Sequence, residues 1–384
     1  MNRLILIGNG FDLAHGLRTG YNDFILWYLN KILIQSGGEN GYADALIKVR
    51  LNPNVNLYLL PRFSIEDELR ELYEDDCLYK LLNNEAFRTG HSEFSNIFNV
   101  YEKSPLLVAL LQSCRVNNWV DIENEYYKQL AFIQTSDSSE GKSSKLKALN
   151  ESMSCLIARL QEYLVSLPQP SIIDSYESIF TSKILTRDVH MPREPESGLF
   201  NDELPTSTLV VNFNYTPTID LYSHLQVASQ ETKMEVTHIH GTIKSLDSMI
   251  FGFGDELDER YSLFEKETDN GYYKFFKSFW YLKTSQYRDL TRFADYDPFQ
   301  IYIIGHSCGL SDRTMLNMLF EHKHCMSVKI FYHKREDGST NFTELTYNIA
   351  RHFKDKGRMR MRVVDFESSE EMPQTNRPDK PIKD

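Results

Sequence analysis

Four consecutive apolar residues, Leu4-Ile5-Leu6-Ile7, run directly into Gly8-Asn9-Gly10, and apolar positions then recur at helical spacing from Tyr21 to Gln35 before Gly37-Gly38. A short unbroken apolar run closed by glycine predicts a buried strand, and the spacing of Phe24, Ile25, Tyr28, Leu29, Ile32 and Leu33 predicts a packing helix. From about residue 40 to 200 the pattern stays helical. Ser64 to Leu82 opens with Ser64…Asp67, which has the form of a capping box; Trp119 to Phe132 is aromatic and amphipathic; Lys145 to Leu167 carries Leu149, Met153, Leu156, Leu160 and Leu164. The polar stretch 136–144 predicts a loop between two of these helices.

Strand patterns resume at Thr208–Val211, Glu235–His240, Met249–Phe251, Ile301–Ile304 and Val328–Tyr332, with a last one at Met361–Val364. Between them the pattern predicts a long aromatic helix over Tyr272–Phe293 and another over Phe342–Phe353. From Glu367 onward three prolines and few apolar residues predict a disordered tail. One strand, a long helical stretch and then alternating strands and helices describe an α/β protein: a Rossmann-like, mostly parallel sheet with a large helical insertion after its first βα unit. The expected boundaries are 1–25 and 200–366 for the core, 26–199 for the insertion and 367–384 for the tail. If the first strand joins the later ones, the turns after Ile7, Val211, Ile239 and Ile304 gather at the C-terminal ends of the strands, where open α/β sheets bind ligands.

Composition narrows the partners. A net charge of −12 over 384 residues argues against a broad nucleic-acid surface, because phosphate backbones are met by clustered Lys and Arg. The five cysteines are odd in number, dispersed and without a CxxC pair, so they read as reduced thiols of a cytoplasmic protein. No secretory pattern precedes the first strand and no apolar run approaches the ~18 residues of a membrane span, so no membrane partner is expected.

The candidate chemistry sits at strand ends. Gly8 and Gly10 lack a Cβ, so the backbone there can approach a phosphate, although Leu13 stands where a GxGxxG fingerprint has its third glycine. Gly305-His306-Ser307-Cys308-Gly309 spells the GxSxG of a nucleophile elbow, but it falls so late that little chain remains for a triad acid and histidine. His238 and His240 face one pocket if their strand continues through His240. With no third ligand at a recognisable spacing, the expectation is no metal and a histidine acting as base near neutral pH. The amides of Asn212 and Asn214 read first as turn chemistry, the acidic run at 66–76 as a solvated face, and Lys274, Lys277 and Lys283 as surface lysines.

Together GNGFDLAHG at residue 8, Trp119-Val120-Asp121-Ile122-Glu123, NFNYT at 212, HIHG at 238 and IIGHSCGLSD at 303 resemble the bacterial AbiH family, linked to abortive infection and phage resistance. Beyond it lies a more distant similarity to sirtuin-like proteins, whose Rossmann core binds NAD. Gly8, Gly10 and Gly16 match the spacing of their first turn, Asn214-Tyr215 their asparagine strand end, His240-Gly241 their catalytic histidine, and Gly305-His306-Ser307 with Asp312 their late turn. The resemblance implies NAD or a related nucleotide held by Gly8, Asn9, Gly10, Phe11, Asp12, Gly305, His306, Ser307 and Asp312, with Asn214 and His240 catalytic. It also implies a phage-derived trigger, and it leaves an oligomer open. The sequence departs from the sirtuin-like pattern at Asp12 (serine there), Arg18 (proline), Thr216 (aspartate) and Asp312 (two positions late), and it has no four-cysteine zinc module. Three functions stay in play: an NAD glycohydrolase, a nucleotide sensor without turnover, and a serine hydrolase using Ser307.

Overall fold

A computed structural model describes residues 1–52, 64–75, 77–82, 97–117, 121–136, 141–189, 202–225 and 234–375. Its strands, in chain order, are β1 (Asn2–Ile7), β2 (Tyr42–Ala43), β3 (Ile47–Leu51), β4 (Phe98–Lys103), β5 (Thr208–Asn212), β6 (Glu235–His238), β7 (Phe299–Ile304), β8 (Cys325–Tyr332) and β9 (Glu370–Glu371). Six of them form one sheet in the order β6-β5-β1-β7-β8-β9, every pair parallel. Numbered within that sheet, the order is 3-2-1-4-5-6, that of a Rossmann fold, and the direction of winding reverses between β1 and β7.

Both faces of this sheet are covered, which is why its strands are continuous apolar runs and not alternating ones. Leu4, Leu6, Ile301, Ile303, Val328 and Ile330 pack on one face, Ile5, Ile7, Tyr302, Ile304 and Phe331 on the other. Ile7 lies opposite both Asn212 and Ile304, so the turns after β1, β5 and β7 leave the sheet at one edge.

The described chain divides into two compact units, one of Met1–Arg18, Leu167–Asp258 and Phe276–Asp384, the other of Thr19–Ser166 and Glu259–Phe275. The interruption therefore ends well before residue 199, because Tyr176 and Phe180 belong to the core on the second face of the main sheet. The second unit holds helices Tyr21–Gln35, Ile65–Glu74, Pro105–Asn117, Ile122–Thr135 and Lys142–Ser166. Ser64 caps the second of them by accepting from the Asp67 N–H at 3.3 Å, and Asp121 caps the fourth through the Asn124 N–H at 2.9 Å. This unit is not purely helical as expected. β2, β3 and β4 make a small antiparallel sheet, and Ile47-Lys48-Val49-Arg50-Leu51 shows the period-two alternation of a strand with Ile47 and Val49 turned inward. Trp119, Val120 and residues 137–140 lie outside the described residues, as do 376–384 of the expected tail.

Four further expectations are corrected. Met249–Phe251 is no strand; the Ile250 N–H donates to the His240 carbonyl at 2.8 Å, and the chain pairs only through a single bridge between Phe253 and Phe276. The long helix over Tyr272–Phe293 is broken into turns at Asn270–Tyr273, Lys277–Trp280 and Tyr281–Lys283 before a helix at Gln286–Tyr296, because Phe276 is extended to reach Phe253 and Thr284 is extended as well. Met361–Val364 falls at the end of a helix, Lys356–Arg362, whose first turn is capped by Asp355, and only Val363 bridges to β8. The stretch after Glu367 is ordered as far as residue 375. β9 extends the sheet, Glu370 pairs with Lys329 at 2.7 Å, Met372 is buried, and the Thr375 N–H donates to the Ala14 carbonyl at 2.9 Å.

Candidate active site

Where β1 and β7 end, two glycine loops pack backbone against backbone. The Gly8 N–H donates to the Ile304 carbonyl at 3.1 Å and the Gly10 N–H to the Gly305 carbonyl at 2.8 Å. A Cβ on Gly8 would lie 2.5 Å from the His306 Cα, and one on Gly305, whose φ is +67°, would lie 2.2 Å from the Phe11 nitrogen. The glycines thus let one loop touch the other, and those two amide groups are already taken. Phe11 points away from the edge into the core, edge-on to Tyr176 at 4.8 Å. Asn214 clips the third loop onto this pair, its Nδ2 donating to the Gly8 carbonyl at 3.0 Å and its own N–H to the Asn212 Oδ1 at 3.1 Å.

Beside these loops lies a buried cluster of charge. Asp312 Oδ1 is 2.8 Å from Lys277 Nζ and 3.1 Å from His240 Nε2, while its Oδ2 is 3.8 Å from His306 Nε2. The Tyr281 hydroxyl stands 3.2 Å from the same His240 nitrogen, and the Phe213 ring meets both histidines edge-on. His306 Nδ1 accepts from the Cys308 N–H at 3.0 Å, which fixes its remaining proton on the nitrogen that faces Asp312. Burial opposes charge on Asp312, yet the Lys277 charge beside it and hydrogen bonding with His240 hold its carboxyl below the usual range. Burial and then the Lys277 charge push His240 down, and burial brings His306 to about 4. The result is an ionised carboxylate, an ammonium and two neutral imidazoles at the C-terminal edge of the sheet.

A family model described as Bacteriophage abortive infection AbiH matches residues 4–334. The chain belongs to the AbiH family. Its role is accordingly in abortive infection by bacteriophage, and the matched span runs from β1 through β8 and includes every candidate site residue. No curated protein and no solved structure matches the chain. Among the described residues of this AbiH protein no helix is long and apolar enough to cross a membrane, and no cluster of metal-ligand side chains occurs.

Of the residues singled out from sequence, His240, His306 and Asp312 come together, and Gly8, Gly10, Gly305 and Asn214 build the loops beside them. Lys277 was missed. Far from being a surface lysine, it is 1% exposed and ion-paired to Asp312. His238 and His240 do not share a pocket: β6 ends at His238, which lies between Asn212 at 3.1 Å and Asp220 at 3.1 Å, while the following turn carries His240 to Asp312. Nor does Ser307 form a nucleophile elbow. Positive φ falls on Gly305 (φ 67°) and the buried Cys308 (φ 52°) and not on Ser307, the chain stays irregular until Leu310, and among the described residues no histidine bonds the exposed Ser307 hydroxyl.

Asp12 neither caps the first helix nor faces outward. It is 1% exposed and accepts a hydrogen bond from the Thr216 hydroxyl. Burial pushes its carboxyl up to about 6, with Thr216, Thr218 and Asn214 favouring the charged form. A carboxyl that binds its proton more tightly when folded lends stability that is full below about pH 4 and is lost as pH rises through about 6, up to about 3 kcal/mol. Asp12→Asn, which keeps an acceptor for Thr216, should therefore raise the melting temperature above pH 7 and flatten its decline between the two values. Thermal unfolding across that range checks this; a variant that keeps the wild-type decline would show that Asp12 is not its source.

Proposed function

We propose that this AbiH protein consumes NAD or a closely related nucleotide, cleaving the nicotinamide–ribose bond when a phage-derived trigger is present. The observation that carries the reading is His240 3.1 Å from the Asp312 carboxyl, at the C-terminal edge of a sheet in Rossmann order where such folds bind ligands. The sirtuin-like spacing of the first turn supports it. The leaving nicotinamide is already cationic on the substrate, so the protein chiefly has to stabilise an oxocarbenium-like ribose and position water. Water attacks the anomeric carbon as the C–N bond breaks, its proton passes to His240, and ADP-ribose and nicotinamide leave. In the structure the Tyr281 hydroxyl and Asp312 occupy His240 Nε2, so entry of substrate has to part Tyr281 from the ring.

A second reading is a sensor that binds nucleotide without turnover. It is favoured by the Gly8 and Gly10 N–H groups already being spent on the β7 side. Calorimetry with NAD, run beside chromatographic measurement of free nicotinamide in the presence and absence of phage lysate, separates the two. Release of nicotinamide supports cleavage, binding without release supports the sensor, and neither binding nor release in any condition ends both.

A further inference from the structure

We infer that Lys277 is the positioning residue that keeps His240 able to accept a proton, by occupying the Asp312 oxygen that would otherwise hold the ring as an imidazolium. This rests on the reading that His240 acts as base. The argument is one of charge in a closed space. Asp312 Oδ1 lies 2.8 Å from Lys277 Nζ and 3.1 Å from His240 Nε2, and all three side chains are buried. With Lys277 charged and Asp312 ionised, the cluster is neutral, and a second proton on His240 would leave an uncompensated buried cation. Without Lys277 the balance reverses: a buried carboxylate would then have no cation, and the nearest way to supply one is to protonate an imidazole.

The surrounding groups decide which imidazole. His306 faces the same carboxylate, but its Nδ1 already accepts from the Cys308 N–H, so a second proton there would set two donors against each other. His352 sits behind, bonded through Nε2 to the Cys308 carbonyl at 2.8 Å. Tyr281, on the segment that carries Lys277, offers His240 a hydroxyl that either gives or accepts a hydrogen bond. The Phe213 backbone hydrogen-bonds the His240 ring in the sense that favours its charged form. His240 is thus the group poised to take the proton. Lys277 is itself placed by its backbone, whose N–H donates to the Phe253 carbonyl at 3.0 Å, and by Gly254, where a Cβ would come 3.3 Å from the Lys277 Cβ.

The test uses the full chain with nitrogen-labelled histidine and follows ring titration by NMR from about pH 5 to pH 9, with His240 assigned through His240→Gln. In wild type the ring should be neutral at pH 7. In Lys277→Met its midpoint should rise by about one unit or more, in Lys277→Arg it should stay near wild type, and in the double variant Lys277→Met/Asp312→Asn it should fall back. The double variant also removes the unpaired carboxylate, so it reports on the ring if Lys277→Met alone does not fold. An unshifted His240 in folded Lys277→Met, or a double variant whose ring is protonated at pH 7, overturns the inference. The titration needs no turnover, so a chain that leaves NAD intact defeats the proposed function and not this assignment. Where nicotinamide is released, the acid limb of the rate profile should move upward with the ring in Lys277→Met and not in Lys277→Arg.

Discussion

Replacing His240 should cut nicotinamide release from NAD by roughly 10²–10⁴-fold, the usual contribution of a positioned base, and should remove protection of phage-challenged cells. His240→Gln is the more telling variant. Its amide keeps a polar group toward Asp312 and fills most of the space between Phe213 and Tyr281, whose rings lie 5.1 Å and 6.3 Å from the imidazole. His240→Ala would add a cavity to the chemical loss and blur the result. In either variant Asp312 keeps Lys277 as partner, so no charge is left buried alone. Circular dichroism should report a wild-type fold, while chromatography of the NAD products and plaque counts report the loss. A folded His240→Gln protein that still releases nicotinamide at the wild-type rate would remove this histidine from the chemistry.

Gly305→Ala, a single added methyl in the turn after β7, should be strongly destabilising. The residue adopts φ +67°, which costs an L-residue about 1–2 kcal/mol. Its new Cβ would also stand 2.2 Å from the Phe11 nitrogen and 2.6 Å from the Gly10 carbonyl carbon. Those are backbone atoms at the start of a helix, held by the Gly10 N–H bond to Gly305 itself, so they cannot swing aside as a side chain would. Overpacking of this kind adds about 1–3 kcal/mol, a large share of a total stability of about 5–15 kcal/mol. Gly338→Ala is the matched control, since its φ is +83° and no atom lies within 4 Å of the added carbon. Thermal unfolding should show a small loss for the control and a much larger one, or insoluble protein, for Gly305→Ala. Equal melting of the two would mean that the loops yield more easily than their contact implies.

The main sheet was legible because it is buried on both sides. Leu4–Ile7, Leu209–Val211 and Ile301–Ile304 read as strands without any alternation to interpret. β3 was lost for the opposite reason: Ile47-Lys48-Val49-Arg50-Leu51 is a half-buried strand inside a run of helices, and five residues of alternation weigh little against such neighbours. The glycine turn was legible, but its packing against Gly305 and His306 was not, since a loop from about 300 residues away is invisible in the sequence. His240 emerged from its place near a strand end as well as from resemblance, and Asp312 from resemblance. Lys277 had one local signal, a lone lysine set in Phe275-Phe276-Lys277-Ser278-Phe279-Trp280, and such a residue is buried only if a distant carboxylate meets it.

The position of β1 at the centre of the sheet has a consequence for how the protein is made. Its two hydrogen-bonding neighbours, β5 and β7, leave the ribosome about 200 and about 300 residues later, which at 5–20 residues per second is roughly ten to sixty seconds. Throughout that interval Leu4-Ile5-Leu6-Ile7 lacks the two strands that flank it in the sheet. A chain that stops short of β7 would leave this apolar segment without one of its two neighbours, so the centre of the sheet closes only after β7 has been made.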